Sequence, residues 1–136
     1  MISVKNLSYV YSPKTPFMKQ ALFGIDLEIE TGDFFGIIGG TGAGKSTLVG
    51  HFNALTRIQK NSGTVIVDGA DLSAKKLDLK NLRAKVGMVF QYPEHQLFDD
   101  TVLKDVMFGP KNLKLPADEQ KARAKEAIEL VGLDFS

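Results

Sequence analysis

Residues 39–47 read Gly39-Gly40-Thr41-Gly42-Ala43-Gly44-Lys45-Ser46-Thr47, and no other stretch restricts the fold of this chain as tightly. Four glycines in six positions, followed by lysine and two hydroxyl residues, match G-x-x-x-x-G-K-[ST], the phosphate-binding P-loop. The motif acts only where a strand enters the loop and a helix leaves it. Upstream, Phe34-Phe35-Gly36-Ile37-Ile38 is a short apolar run that reads as a buried parallel strand. Downstream, Ser46 to Thr56 sets Leu48, Val49, Phe52 and Leu55 at helical spacing.

Each residue type has a physical reason. A triphosphate carries several negative charges, and a loop wraps it only if backbone N–H groups turn inward. Glycines permit those angles and remove side chains that would block close approach. The helix that follows aims its N-terminal N–H groups and positive dipole end at the same phosphates. Lys45 supplies a mobile charge for the β- and γ-phosphates. The Ser46 hydroxyl suits Mg²⁺, a hard cation that prefers oxygen. The expected ligands are therefore a nucleoside triphosphate and Mg²⁺, with all nine residues 39–47 in the binding loop.

Composition narrows the setting. At 136 residues the chain has ordinary single-domain size, and 43% hydrophobic with 24% charged residues is usual for a water-soluble protein. A formal charge of +1 gives no electrostatic case for nucleic acid or an acidic membrane surface. With no cysteine, disulfides and thiolate metal sites are excluded, and a reducing compartment is the easier fit. The N-terminus has no signal-peptide pattern, and no apolar run approaches the roughly 20 residues needed to cross a bilayer. Any membrane role must come through a partner.

Residues 2–10 read as a first strand, broken by the proline-rich loop Ser12-Pro13-Lys14-Thr15-Pro16. Residues 21–30 alternate around Leu27 and Ile29, as a half-exposed strand antiparallel to the first does. Asn61-Ser62-Gly63 is a turn, Thr64–Val67 a β-branched strand, and Asp68-Gly69 a tight turn. A short exposed helix is expected around Asp78–Ala84, and Val86–Phe90 is a second buried strand. Thr101 N-caps a helix to Phe108, stopped by Gly109-Pro110. After Leu115-Pro116 comes a last helix from Ala117 to Val131, with Ala124, Ala127, Ile128 and Val131 on one face and Gly132 as C-cap. There are no internal repeats.

Gln91 closes the second apolar run, 46 residues after Lys45, in Gln91-Tyr92-Pro93-Glu94-His95-Gln96-Leu97-Phe98. With the P-loop at that distance, the chain resembles the ATP-binding subunits of ABC transporters, whose Q-loop begins with such a glutamine. The wording of residues 91–98, with Tyr11-Ser12-Pro13-Lys14-Thr15-Pro16-Phe17 and Ala21-Leu22, is similar to the ATPases of energy-coupling factor (ECF) transporters, and to the second of their two ATPase subunits. Gly40 and Ala43 depart from that subgroup, which often carries His and Ser there.

The resemblance implies an α/β P-loop NTPase fold of the ABC ATPase type. Its N-terminal half would comprise an antiparallel β subdomain, a partial parallel core sheet and, from about residue 101, the start of a helical subdomain. It implies an energy-coupling subunit of an importer for vitamins or metal ions such as cobalt and nickel, peripheral on the cytoplasmic face of the cell membrane. The implied partners are a second ATPase subunit in a heterodimer, a transmembrane coupling subunit and a substrate-binding membrane subunit. Gln91 would reach the Mg²⁺ and the attacking water. An aromatic residue near the end of the first strand would stack on adenine, and Tyr11 is the best match, with Phe17 and Tyr9 as alternatives beside simple packing on the sheet.

His51 and His95 do not match the family's switch histidine. His51 reads as a packing or surface residue, and His95 as a loop residue or part of a membrane-subunit interface. Glu94, Asp99 and Asp100 read as solvated loop or helix-start charges, and Lys75–Lys85 as a solvated face. The signature sequence, the Walker B aspartate with its catalytic glutamate, and the switch histidine do not occur before Ser136. The expectation is therefore ATP binding with little or no turnover, assisted only by Lys45 and Gln91, and marginal stability from an open edge on the P-loop strand. A non-catalytic nucleotide-binding module, or an ABC-type ATPase of another kind, is the alternative.

Overall fold

Strand β1 (Ile2–Tyr11) is the spine of a four-stranded antiparallel sheet ordered β2-β1-β3-β4 in a computed structural model that describes residues 1–133. β2 (Lys19–Ile29) lies along one edge of β1, and β3 (Thr64–Val67) pairs with its first half through Ile2↔Val67 and Lys5↔Thr64. A turn at Asp68-Gly69, with φ of 47° and 78°, joins β3 to the two-residue β4 (Ala70–Asp71). Positive φ at both central residues is the type I′ geometry that matches strand twist.

Alternation along β3 turns Val65 and Val67 inward beside Val4 of β1, and a register shift between Val4 and Leu7 returns Leu7 to that face, where all four pack with Leu22 of β2. Helix α1 (Lys45–Phe52) covers this face with Leu48 and Phe52. Burying each such side chain is worth about 1.5–3 kcal/mol, so sheet and helix depend on each other. Helix α2 (Leu79–Lys85) adds Leu82 to the same core. The Asp78 side chain caps it by accepting from the Asn81 N–H at 3.0 Å.

Contacts divide the chain into two units, Met1–Gly87 and one beginning at Met88. The second is built on α3 (Val102–Asn112) and α4 (Ala117–Leu130). Thr101 caps α3 as expected, accepting from the Lys104 N–H at 3.3 Å. α4 ends in a Schellman arrangement: Gly132 N–H donates to the Glu129 carbonyl and Leu133 N–H to that of Ile128.

Several expectations are corrected. Neither Phe34–Ile38 nor Val86–Phe90 forms a ladder, and Phe34, Ile38 and Val89 are exposed. A parallel strand exists only through hydrogen bonds to neighbours, and no described strand lies against either run. The open strand edge expected beside the P-loop is therefore not formed either. α1 stops at Phe52 rather than Thr56, because Ala54 takes a left-handed φ of 54°, and Leu55 is exposed. α3 runs through Gly109-Pro110 to Asn112. A proline so close to the end removes one intrahelical bond, and its own carbonyl still accepts from Leu115 N–H. On α4 only Ala124 and Ile128 are buried, and Ala127 and Val131 are exposed.

Candidate functional site: the glycine loop and its aromatic shelf

The loop meets the helix at Gly44, whose φ of 94° is left-handed. A Cβ there would lie 2.4 Å from the Ala21 carbonyl oxygen of β2, so only glycine lets loop and sheet approach this closely. α1 then starts at Lys45, and its first N–H groups open toward the loop. The Lys45 ammonium curls back over the loop, donating to the carbonyls of Gly39 at 2.6 Å and Gly40 at 2.8 Å. A hydrogen bond from Ala43 N–H to the Gly40 carbonyl closes the turn that carries Thr41 and Gly42.

An open cavity of about 220 Å³ lies on the loop, with Gly42 through Thr47 on one side. Tyr11, Lys19 and Ala21 of the β1–β2 hairpin form the other. Tyr11 is 43% exposed, and its hydroxyl is 2.9 Å from that of Thr47. A flat aromatic ring over a phosphate loop is a shelf on which a base can stack. Of the alternatives, Tyr9 is turned inward, edge-on between Tyr11 and His51, with ring centroids 4.9 and 5.1 Å away. Phe17 is exposed and does not line the cavity.

Two features hold the shelf. The side-chain amide of Gln59 grips Val10, accepting from its N–H at 3.1 Å and donating to its carbonyl at 2.8 Å. Beneath the loop, fully buried His51 has Nδ1 2.7 Å from the Thr47 carbonyl. That oxygen only accepts, so Nδ1 carries the proton and Nε2 is left buried without a partner. Burial holds the imidazole below its usual pKa, outweighing the Thr47 bond, which favours the charged form. Of the two readings, packing residue or surface residue, His51 is the packing one.

Ser46 is exposed at the first turn of α1, open to a ligand. Gln91 lies in the second unit, in an exposed bend before the 3-10 turn Pro93–Gln96. His95 stacks at a tilt on Tyr92 in that turn. Glu94, Asp99 and Asp100 are exposed, and no group of three or more potential metal ligands occurs among the described residues. Lys19 was not among the residues singled out from sequence, and Ala21 was named there only for the family resemblance, not as a site residue. Lys19 enters the site because it sits directly across the hairpin from Tyr11.

A glycine loop on a helix N-terminus, one lysine folded over it and an aromatic shelf beside it define a P-loop nucleotide-binding protein. The family model of the ABC transporter matches residues 22–136, and the chain belongs to that family. It is 49% identical over 134 residues to the energy-coupling factor transporter ATP-binding protein EcfA2 of Clostridium perfringens, covering 98% of this chain and 46% of the relative. It is 53% identical over 128 residues to EcfA2 of Symbiobacterium thermophilum, covering 94% and 44%. The chain thus spans about half the length of the curated relatives it matches. Among solved structures, CbiO1 of Clostridium perfringens, part of the ABC transporter complex CbiONQ, aligns with a TM-score of 0.78 at 38% identity, over 98% of this chain and 51% of that one. The ATP-binding cassette MJ0796, a dimer bound to ADP and Pi in a post-hydrolysis state, aligns with a TM-score of 0.81 at 28% identity, over 99% and 59%.

Proposed function

We propose that this chain supplies the nucleotide-gripping half of an ATP-binding subunit in an ECF-type ABC importer. The observation that carries the reading is the pairing of Lys45 and the helix N-terminus with the Tyr11 shelf across one cavity. The phosphates lie along residues 39–47, with Lys45 leaving its two carbonyls for the β- and γ-oxygens. Mg²⁺, when bound, would neutralise phosphate charge, and the Ser46 hydroxyl would supply its protein oxygen. The adenine stacks on Tyr11.

In the whole importer, ATP binding and hydrolysis drive uptake of vitamins or of metal ions such as cobalt or nickel. The partners are a second ATPase subunit, a transmembrane coupling subunit and a substrate-binding membrane subunit, assembled on the cytoplasmic face of the membrane. Equilibrium titration with Mg-ATP tests the reading. Saturable binding lost in Lys45→Ala supports it, and an affinity that Lys45→Ala leaves unchanged refutes it.

A further inference from the structure

Two charged side chains line the cavity, Lys45 and Lys19, and no carboxylate does. They arrive by different routes. Lys45 belongs to the loop and is held at its Gly39-Gly40 end. Lys19 opens β2 and is the cross-strand partner of Tyr11, so both side chains leave the hairpin on one face. One residue further on, the ladder slips: Tyr9 opposes Leu22 while Val10 opposes Gln20, leaving Ala21 with no opposite residue. Such a bulge re-aims the strand end, and here it brings the Ala21 carbonyl against Gly44 and the tip of the hairpin over the loop.

Lys19 is exposed and takes part in none of the ion pairs or side-chain hydrogen bonds of the described residues. Its four-carbon stem is free to sweep the space between the Tyr11 ring and α1. We infer that Lys19 is a second nucleotide-binding cation, whose ammonium meets the phosphate that adjoins the nucleoside. Lys45 is committed to the far end of the loop, so a polyphosphate lying between shelf and loop has a cation at each end. This inference rests on the nucleotide-binding reading above and adds to it a residue outside the loop motif.

The test compares the full chain with Lys19→Gln and Lys19→Arg, titrated with Mg-ATP and Mg-ADP at about 50 and 300 mM salt. Because Lys19 has no side-chain partner among the described residues, the unfolding midpoint of Lys19→Gln stays at the parent value. Its affinity falls about tenfold at low salt, as expected for a lost charge-assisted contact. The loss is equal for ATP and ADP, shrinks at high salt, and is largely restored by Lys19→Arg. An unchanged affinity in Lys19→Gln, where Lys45→Ala still abolishes binding, overturns the inference and leaves the function standing. A loss confined to ATP, or one indifferent to salt, also overturns it. Failure of the parent chain to bind either nucleotide removes both.

Discussion

The hydroxyl of Tyr11 sits 2.9 Å from that of Thr47, tying the end of the first strand to the first turn of the P-loop helix. The aromatic shelf and the glycine loop are therefore one unit rather than two neighbouring features. Two changes at Tyr11 separate stacking from tethering. Tyr11→Phe keeps the ring and loses the bond, and nucleotide affinity falls by about threefold, the size of one net hydrogen bond. Tyr11→Ala removes the ring and costs roughly 1–3 kcal/mol of binding. Isothermal titration with Mg-ATP reads both; equal losses would show that the ring itself contributes nothing.

Gly44 and Gly40 are in the same loop but have opposite tolerances. At Gly44 a Cβ meets the Ala21 carbonyl at 2.4 Å with φ at 94°, so Gly44→Ala destabilises by about 3 kcal/mol through clash and backbone strain. At Gly40 nothing lies within 4 Å of the added carbon, and Gly40→Ala changes stability by less than about 1 kcal/mol. Urea unfolding midpoints of the two variants provide the comparison. Similar midpoints would refute the close approach of β2 to the loop.

His51 sets an acid sensitivity well above the carboxylate range. Its pKa is lowered in the fold by burial, so below about pH 6.5 the unfolded chain binds a proton that the folded chain resists. Its contribution is complete above that pH and declines as the pH falls toward the folded value, with a slope of at most about 1.4 kcal/mol per pH unit. Asp68, held low by Lys85, and Asp71, held low by Ser73, act only below about pH 4. Stability measured by urea from neutral to mildly acid pH falls in the parent chain and flattens in His51→Phe. A parent curve with no slope in that window would contradict the assignment.

Thr101 supports the second unit through its bond from Lys104 N–H. Thr101→Ala removes that cap and costs about 1 kcal/mol, while Thr101→Ser costs less than half as much. Hydrogen exchange at the first turn of α3 distinguishes them: protection lost in the alanine variant and kept in the serine variant is the expected pattern.

Local chemistry made most of the first unit legible. Alternation marked β1 and the second half of β2, and Asp68-Gly69 named its own turn. The P-loop announced itself because the fixed positions of its motif, Gly39, Gly44, Lys45 and Ser46, are limited to a few residue types. Phe34–Ile38 and Val86–Phe90 misled because apolar runs declare burial, whereas a strand also needs a hydrogen-bonding neighbour, which periodicity does not supply. Lys19 stayed hidden for a different reason. Its place opposite Tyr11 follows from a ladder with register shifts between Val4 and Leu7, Leu7 and Tyr9, and Tyr9 and Val10. Counting residues back from the loop does not reproduce such a register. A lysine two residues before the Ala21-Leu22 pair, once the hairpin is recognised, is the signal that could have exposed it.

The grip of Gln59 on Val10 reaches beyond the shelf. β3 pairs with β1 only from Ile2 to Lys5, which leaves the second half of that edge without a strand. Ser62 accepts from Ser8 N–H at 2.9 Å, and the Gln59 amide takes both backbone groups of Val10. A side-chain amide presents the same donor and acceptor as a peptide unit, so glutamine serves as a one-residue stand-in for the missing strand. Intermolecular β-pairing, the hazard of any bare sheet margin, meets occupied backbone groups here, next to the cavity on the glycine loop. Gln59 thus covers this margin in the same act by which it holds the strand end that carries Tyr11.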